Sequence, residues 1–311
     1  MFYQFNDDLV NIDLAEIDSN LLTLGYISSN HLSDCYKNFG FSPHTVEMCK
    51  GKSCFFSSDI EVFDDYSFFK VNIVNTNNPE KEENCIGVYI KKNMLLIVNV
   101  QESACSNRDS FMKLLSKISC ENITIEKLVC SFFEVLISGD NKALERAELE
   151  INELEETVLK NSADKNFNLE LLNMKKELLS IRGYYEQLID ISEALRENEN
   201  ELFDEVRLKQ FRIFTDKAVR LKENVDLLRD SVVHLWDAYQ AYLDMRLNQT
   251  MKVFALVTTI FFPITVITSW YGMNFKYMPE LGWKFGYLYV IALSVLVVLC
   301  LYLWLKKKNW F

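Results

Sequence analysis

The chain has 311 residues, 49% of them hydrophobic, with 44 acidic against 33 basic side chains and a formal charge of −11. That length allows two or three structural units, and the composition excludes a disordered or fibrous chain. An acidic balance leaves no surplus of clustered Lys and Arg for a nucleic-acid partner and suits a surface that meets cations.

The first residues, MFYQFNDD, are acidic rather than the basic lead-in of a signal peptide. Eight cysteines (Cys35, Cys49, Cys54, Cys85, Cys105, Cys120, Cys130 and Cys300) are scattered without a C-x-x-C pair, which fits free thiols in a reducing cytosol better than zinc ligands. Residues 1–120 read as an α/β or α+β domain with one modest sheet. Its β-rich runs are Leu21–Ile27, Phe68–Val74, Cys85–Lys91 and Met94–Val100, the last two a hairpin about Lys92-Asn93. Helical stretches fall near Asp34–Phe39 and Ser110–Ser119. There is no Gly-rich phosphate loop, H-E-x-x-H or G-x-S-x-G, so nothing here points to an enzyme or to an organic cofactor.

Residues 121–250 read as a helical stalk: Ile123–Ser138, Lys142–Ser162, Leu169–Glu199 and a longer piece starting near Phe203. Between Gly183 and Pro263 there is neither Gly nor Pro. Phe211, Phe214, Ala218, Leu221, Val225, Leu228, Val232, Leu235, Tyr239 and Tyr242 recur at steps of three and four, the pattern of a seam packed against other helices. Nearly opposite that seam, Asp216, Glu223, Asp230, Asp237 and Asp244 recur every seven residues. A solvated face explains such a stripe, and so does a path or sensor for cations. The same count continues as Met251, Thr258, Thr265 and Gly272, acid giving way to small or polar residues.

The chain is almost uncharged after about residue 250. Val253 to Phe275 and Phe285 to Leu305 contain no charge, and each is long enough to cross roughly 30 Å of hydrocarbon. The predicted units are thus 251–275, the first transmembrane helix; 276–284, an outer loop; and 285–311, the second transmembrane helix with its basic tail. Arg246 and Lys252 before the first span and Lys306, Lys307 and Lys308 after the second place both termini in the cytoplasm, with the protein in the plasma (inner) membrane. One two-span hairpin cannot enclose a water-filled path, so conduction requires several copies about an axis.

The first span ends Tyr271-Gly272-Met273-Asn274-Phe275, followed by Met278-Pro279-Glu280-Leu281 and, after the second span, KKKNW. In this context the sequence resembles the CorA family of magnesium transporters, and the resemblance covers essentially the whole chain. It implies a CorA-like homopentameric funnel: an α/β cytosolic domain, a long helical stalk and two C-terminal transmembrane helices, with the first span of each copy lining the pore. Gly272, Met273 and Asn274 would form the outer selectivity ring. Mg2+ dehydrates reluctantly, so carbonyl and amide oxygens can hold the hydrated ion through its waters. Counting back from the motif, the pore-facing positions are Asn248, Met251, Phe254 or Ala255, Thr258, Phe262, Thr265 and Ser269. Glu280 would attract cations at the mouth. Asp237 falls where the family carries a carboxylate at a regulatory divalent site between subunits, with Asp59, Glu61, Asp64 and Asp65 as candidates for the second ligand.

The implied function is passive Mg2+ uptake, with Mg2+ both carried and regulatory; the implied partners are the chain itself, the lipid bilayer and divalent cations. The alternatives are a Co2+, Ni2+ or Zn2+ transporter of the same superfamily, or a membrane-anchored coiled-coil protein without flux. One departure stands out: where the family loop usually carries an acid, this chain has Lys276, and a ring of lysines would repel cations at the mouth.

Overall fold

The structure, a computed structural model, describes residues 1–6, 9–51, 60–76, 84–100, 105–118, 123–160, 166–274 and 278–307. Cys54, Asp59, Cys120, Phe275, Lys276 and Lys308 lie outside the described residues. The chain divides into two compact units, Met1–Trp236 and Asp237–Phe311.

The first unit is built on a sheet of β1 (Phe2–Phe5), β2 (Leu9–Ile12), β3 (Leu22–Ser28), β4 (Ile60–Val62), β5 (Ser67–Ile73), β6 (Asn84–Lys91) and β7 (Met94–Asn99). The order is β2-β1-β3-β7-β6-β5-β4, with only β3 and β7 parallel among the described strands. It is a wider sheet than the four β-rich runs suggested. Those runs are the strands β3, β5, β6 and β7, apolar nearly throughout because both faces are covered. The expected hairpin pairs Lys91 with Met94 across Lys92-Asn93. The additional strands β1, β2 and β4 are three or four residues long and lie toward the sheet's edges.

One face of the sheet carries α1 (Ser29–Phe39) and α2 (Pro43–Met48). Ser28 caps α1 by accepting the His31 N–H at 3.3 Å, and Gly40, at φ 73°, ends it in the left-handed conformation that lacks a Cβ penalty. Leu32, Cys35, Phe39, Phe41 and Cys49 close a core against Phe68, Tyr89, Leu96 and Val98. Then come α3 (Cys105–Lys117), α4 (Ile125–Leu136), α5 (Asp140–Leu159) and α6 (Phe167–Glu197). The Phe133 ring of α4 lies 6.1 Å from Phe69 of β5, and Gln187 of α6 accepts the Asn72 N–H at 3.0 Å and donates to the Lys70 carbonyl at 3.2 Å. At the start of α5, Asp140 is buried and accepts the hydroxyls of Thr76 (2.8 Å) and Tyr185 (2.9 Å).

The long helix α7 (Lys209–Tyr271) begins six residues later than Phe203. The reason is local: Asn198 and Glu201 both take φ 52°, Asn198 bonds both backbone groups of Phe203 at 3.0 Å, and Asp204 caps a separate 3-10 turn, Glu205–Arg207. Asn200 ties this connector to the β4–β5 turn through the Phe63 carbonyl (2.9 Å) and Ser67 hydroxyl (3.0 Å). Every residue of the seam from Phe211 to Tyr242 is buried, and Asp216, Glu223, Asp230, Asp237 and Asp244 are all exposed. Within the first unit α7 packs on α6: Arg182 donates to Asp226 at 2.9 Å, Lys222 pairs with Glu186 at 3.0 Å, and Ser192 donates to the Phe211 carbonyl at 3.1 Å.

The second unit holds the remainder of α7, a 3-10 turn at Pro279–Gly282 and α8 (Gly286–Lys307). The helix α7 runs 63 residues, about 95 Å at 1.5 Å per residue, and continues past Pro263, which has no N–H to give the Thr259 carbonyl. Both apolar stretches are helical and long enough to cross a bilayer.

Candidate ion pathway

In the apolar part of α7 burial falls on one stripe only. Leu256, Thr259, Ile260, Pro263, Ile264, Ile267 and Tyr271 are half-buried, recurring at steps of one, three and four, and the rest of that stretch is exposed. On α8 the covered stripe runs through Gly286, Val290, Leu293, Val297, Leu301 and Leu305. Asn248, Met251, Phe254, Thr258, Phe262, Thr265 and Ser269 all lie on the exposed part of α7, as does Ala255. Phe254 is 65% exposed and Phe262 66%, values that a single soluble chain rarely tolerates for aromatic rings in succession.

The hydroxyls here have a defined polarity. Thr258 donates to the Phe254 carbonyl at 2.9 Å and Thr265 to the Phe261 carbonyl at 2.9 Å, each one turn back. With the proton turned into the helix, the oxygen lone pairs point away from it. An oxygen of this kind accepts hydrogen bonds, and the waters of a hydrated cation have only hydrogens to offer outward.

Tyr271 is the last residue of α7, so Gly272, Met273 and Asn274 follow the helix directly. The Gly272 N–H donates to the Thr268 carbonyl at 2.9 Å and the Met273 N–H to the Trp270 carbonyl at 3.3 Å. A Cβ on Gly272 would stand 3.1 Å from the Thr268 oxygen, which would have to give by a few tenths of an ångström, and in ordinary contact, 3.5 Å, with that of Ser269. All three residues are exposed. The C-terminal end of a helix carries partial negative charge on its last carbonyls, which favours a cation there without any ionised ligand. Glu280 lies in the 3-10 turn Pro279–Gly282.

Asp237 is exposed, and among the described residues no group of three or more His, Cys, Asp or Glu side chains is placed to hold a metal ion. One carboxylate is nevertheless compatible with Mg2+, which keeps most of its waters and often takes only one or two protein carboxylates. Of the candidate second ligands, Glu61 faces His44 at 3.2 Å, and Asp64 and Asp65 line a cleft of about 780 Å3 in the first unit.

The sequence pattern did not flag Glu126, Asp204 and Arg207, which cluster where α4 meets the connector before α7. An acid in a helix's first turn reads simply as favourable to the helix dipole, and only the fold shows it buried.

The family described as CorA-like Mg2+ transporter protein matches residues 27–307. The cobalt/magnesium transport protein CorA of Thermotoga maritima is 28% identical over 99% of this chain and 89% of its own length. The magnesium transport protein CorA of Escherichia coli is 39% identical over 105 residues, 33% of each chain. Among solved structures, the CorA magnesium transporter of Methanocaldococcus jannaschii superposes with a TM-score of 0.85, covering 100% of this chain and 98% of that one at 20% identity, a likeness of fold. The α/β sheet domain, the long helix and the C-terminal apolar helix are therefore the CorA fold, and the chain belongs to the CorA-like Mg2+ transporter family.

Proposed function

We propose that the protein is a passive Mg2+ channel of the plasma membrane, a homopentamer whose α7 helices line the pore, with both termini in the cytoplasm. The observation that carries this reading is the uncovered stripe of α7, where acceptor oxygens at Asn248, Thr258, Thr265 and Ser269 alternate with bulky apolar rings and lead to Gly272 and Asn274. Five copies about an axis would cover that stripe and give a hydrated ion a ladder of acceptors. Gly272 would bring the backbone to the axis, Asn274 would supply an amide oxygen to the ion's water shell, and Met273 would pack behind them. Met251, Phe254 and Phe262 would form constrictions that close by excluding water. Glu280 would draw cations to the mouth against the charge of Lys276.

No ATP is required. An inside-negative potential of 100 mV drives a divalent ion with about 4.6 kcal/mol. Co2+ is a second cargo on this reading, since the Thermotoga relative is named for cobalt as well as magnesium.

Regulation is assigned to Asp237, which with a carboxylate of the neighbouring subunit would hold Mg2+ at the interface. At low cytosolic Mg2+ these carboxylates repel and the ring loosens, a shift of population driven by differential binding.

Flux into proteoliposomes tests the pore. Mg2+ uptake that rises with an imposed inside-negative potential and falls at least tenfold in Asn274→Ala is expected. Equal leak with and without protein would leave a membrane-anchored scaffold instead.

A further inference from the structure

The helix α7 is continuous from the first unit into the apolar stretch, so a signal from an ion held at Asp237 to the proposed pore travels along it. Such a signal moves the pore only if each α7 is fixed to its own domain; a helix free to slide or roll would absorb the movement. The seam from Phe211 to Tyr242 is largely apolar, and apolar contact holds helices together without direction. The ion pairs between α6 and α7, Arg182 with Asp226 and Lys222 with Glu186, are partly exposed, and solvent weakens them.

Glu126 is placed differently. It lies in the first turn of α4 and is 3% exposed; among the described residues Asp140 is the one other acidic side chain so buried. Its Oε1 accepts the Asp204 N–H at 2.9 Å, and its Oε2 faces Nη1 of Arg207 at 3.7 Å. The Nε of Arg207 stands in turn 3.7 Å from Asp204 Oδ2. One carboxylate thus grips both ends of the short turn from which α7 starts at Lys209. Burying a charge is costly, and the best-attested use of a buried ionic contact is to specify one register. The grip continues along α4, where the Phe133 ring lies 5.0 Å from Phe214 and Glu134 pairs with Lys217. Phe133 also meets Phe69 of β5, so α4 bridges the sheet and the start of α7.

We infer that Glu126 is a positioning residue of the channel: through Asp204 and Arg207 it anchors the start of α7 to α4, so that an ion held at Asp237 is read out as movement of the pore helix. This role rests on the channel reading proposed above. Without the anchor, the ion still binds but the helix slips on its own domain, and inhibition by internal Mg2+ weakens while conduction persists.

Flux of the full-length protein in proteoliposomes at graded internal Mg2+ separates inhibition from conduction. Glu126→Gln keeps an acceptor for the Asp204 N–H but removes the charge facing Arg207. Half-inhibition should then need at least threefold more internal Mg2+, with uninhibited flux within about twofold of native. Arg207→Gln should do the same, and Arg207→Lys, which keeps the charge, should retain the native response. The Arg207 side chain is 43% exposed, so its variants carry the test if Glu126→Gln fails to fold. Unshifted half-inhibition in a folded Gln variant, a fall in uninhibited flux without that shift, or Arg207→Lys shifting as far as Arg207→Gln would each overturn the role of Glu126. Amide hydrogen exchange reads the coupling without flux. Added Mg2+ should slow exchange over residues 253–271 of the native protein, and in the Gln variants that slowing should shrink at least threefold while persisting over residues 230–244. No slowing over residues 253–271 in the native protein, or equal slowing there in every variant, would also overturn it. Exchange coupling in a native protein that shows no flux would remove the channel and leave the anchor standing.

Discussion

Asp140 shows how one side chain can couple this fold to pH. Burial raises its carboxyl above the usual carboxylate range, and the hydrogen bonds from Thr76 and Tyr185 only partly oppose that. The folded protein therefore keeps this proton to higher pH than the unfolded chain, and stability falls as pH rises from the ordinary carboxylate range through the raised value. Below that window the contribution is complete. Asp140→Asn removes the titration while keeping the shape, so the drop in melting temperature between pH 4 and pH 7 should be smaller in the variant than in the native protein, read by circular dichroism. Neither the burial nor the partners of Asp140 were legible in the sequence, because Thr76 and Tyr185 lie 64 and 45 residues away. The short helix α2 was missing from the sequence reading although its start is local: Ser42 caps it by accepting the His44 N–H at 3.3 Å, and Pro43 occupies its first turn.

Among the elements, the helices of the stalk were read most securely, since a period of three and four sustained over thirty residues has no other packing solution. The seam on α7 is buried throughout, with Phe214 1% exposed and its ring 5.0 Å from Phe133 of α4. Phe214→Ala leaves a cavity between two helices and should cost about 3–5 kcal/mol, seen as a lower thermal midpoint of the helical signal. Strands were legible where they are buried on both faces. Strand β1, in contrast, is the four residues FYQF, whose meaning comes from pairing with Ile12 on one side and Gly25 on the other. The later start of α7 was hidden for a similar reason. Nothing in ENENELFDEV breaks a helix by propensity alone, and the break rests on the left-handed Asn198 and Glu201, with Asn198 bonded to Phe203 and the intervening Asn200 bonded to the β4–β5 turn.

Across the whole molecule, the apolar spans and the Gly-Met-Asn motif in its context carried the family in the sequence itself, and the family match over residues 27–307 bears that reading out. Asp237 tests the proposed regulation at this scale. Asp237→Lys, or removal of millimolar Mg2+ from the native protein, should change the rate of stalk cleavage by added protease. Unchanged cleavage under both conditions would remove Asp237 from regulation. Pro263 has a mechanical consequence of its own. Without its N–H, the ladder of α7 lacks one rung at the Thr259 carbonyl, inside the apolar stretch. The membrane-side part of α7 is thus expected to flex more readily at this turn than at its fully bonded turns. Pro263→Ala would restore the rung, and slower amide hydrogen exchange over residues 260–267 would report the stiffening.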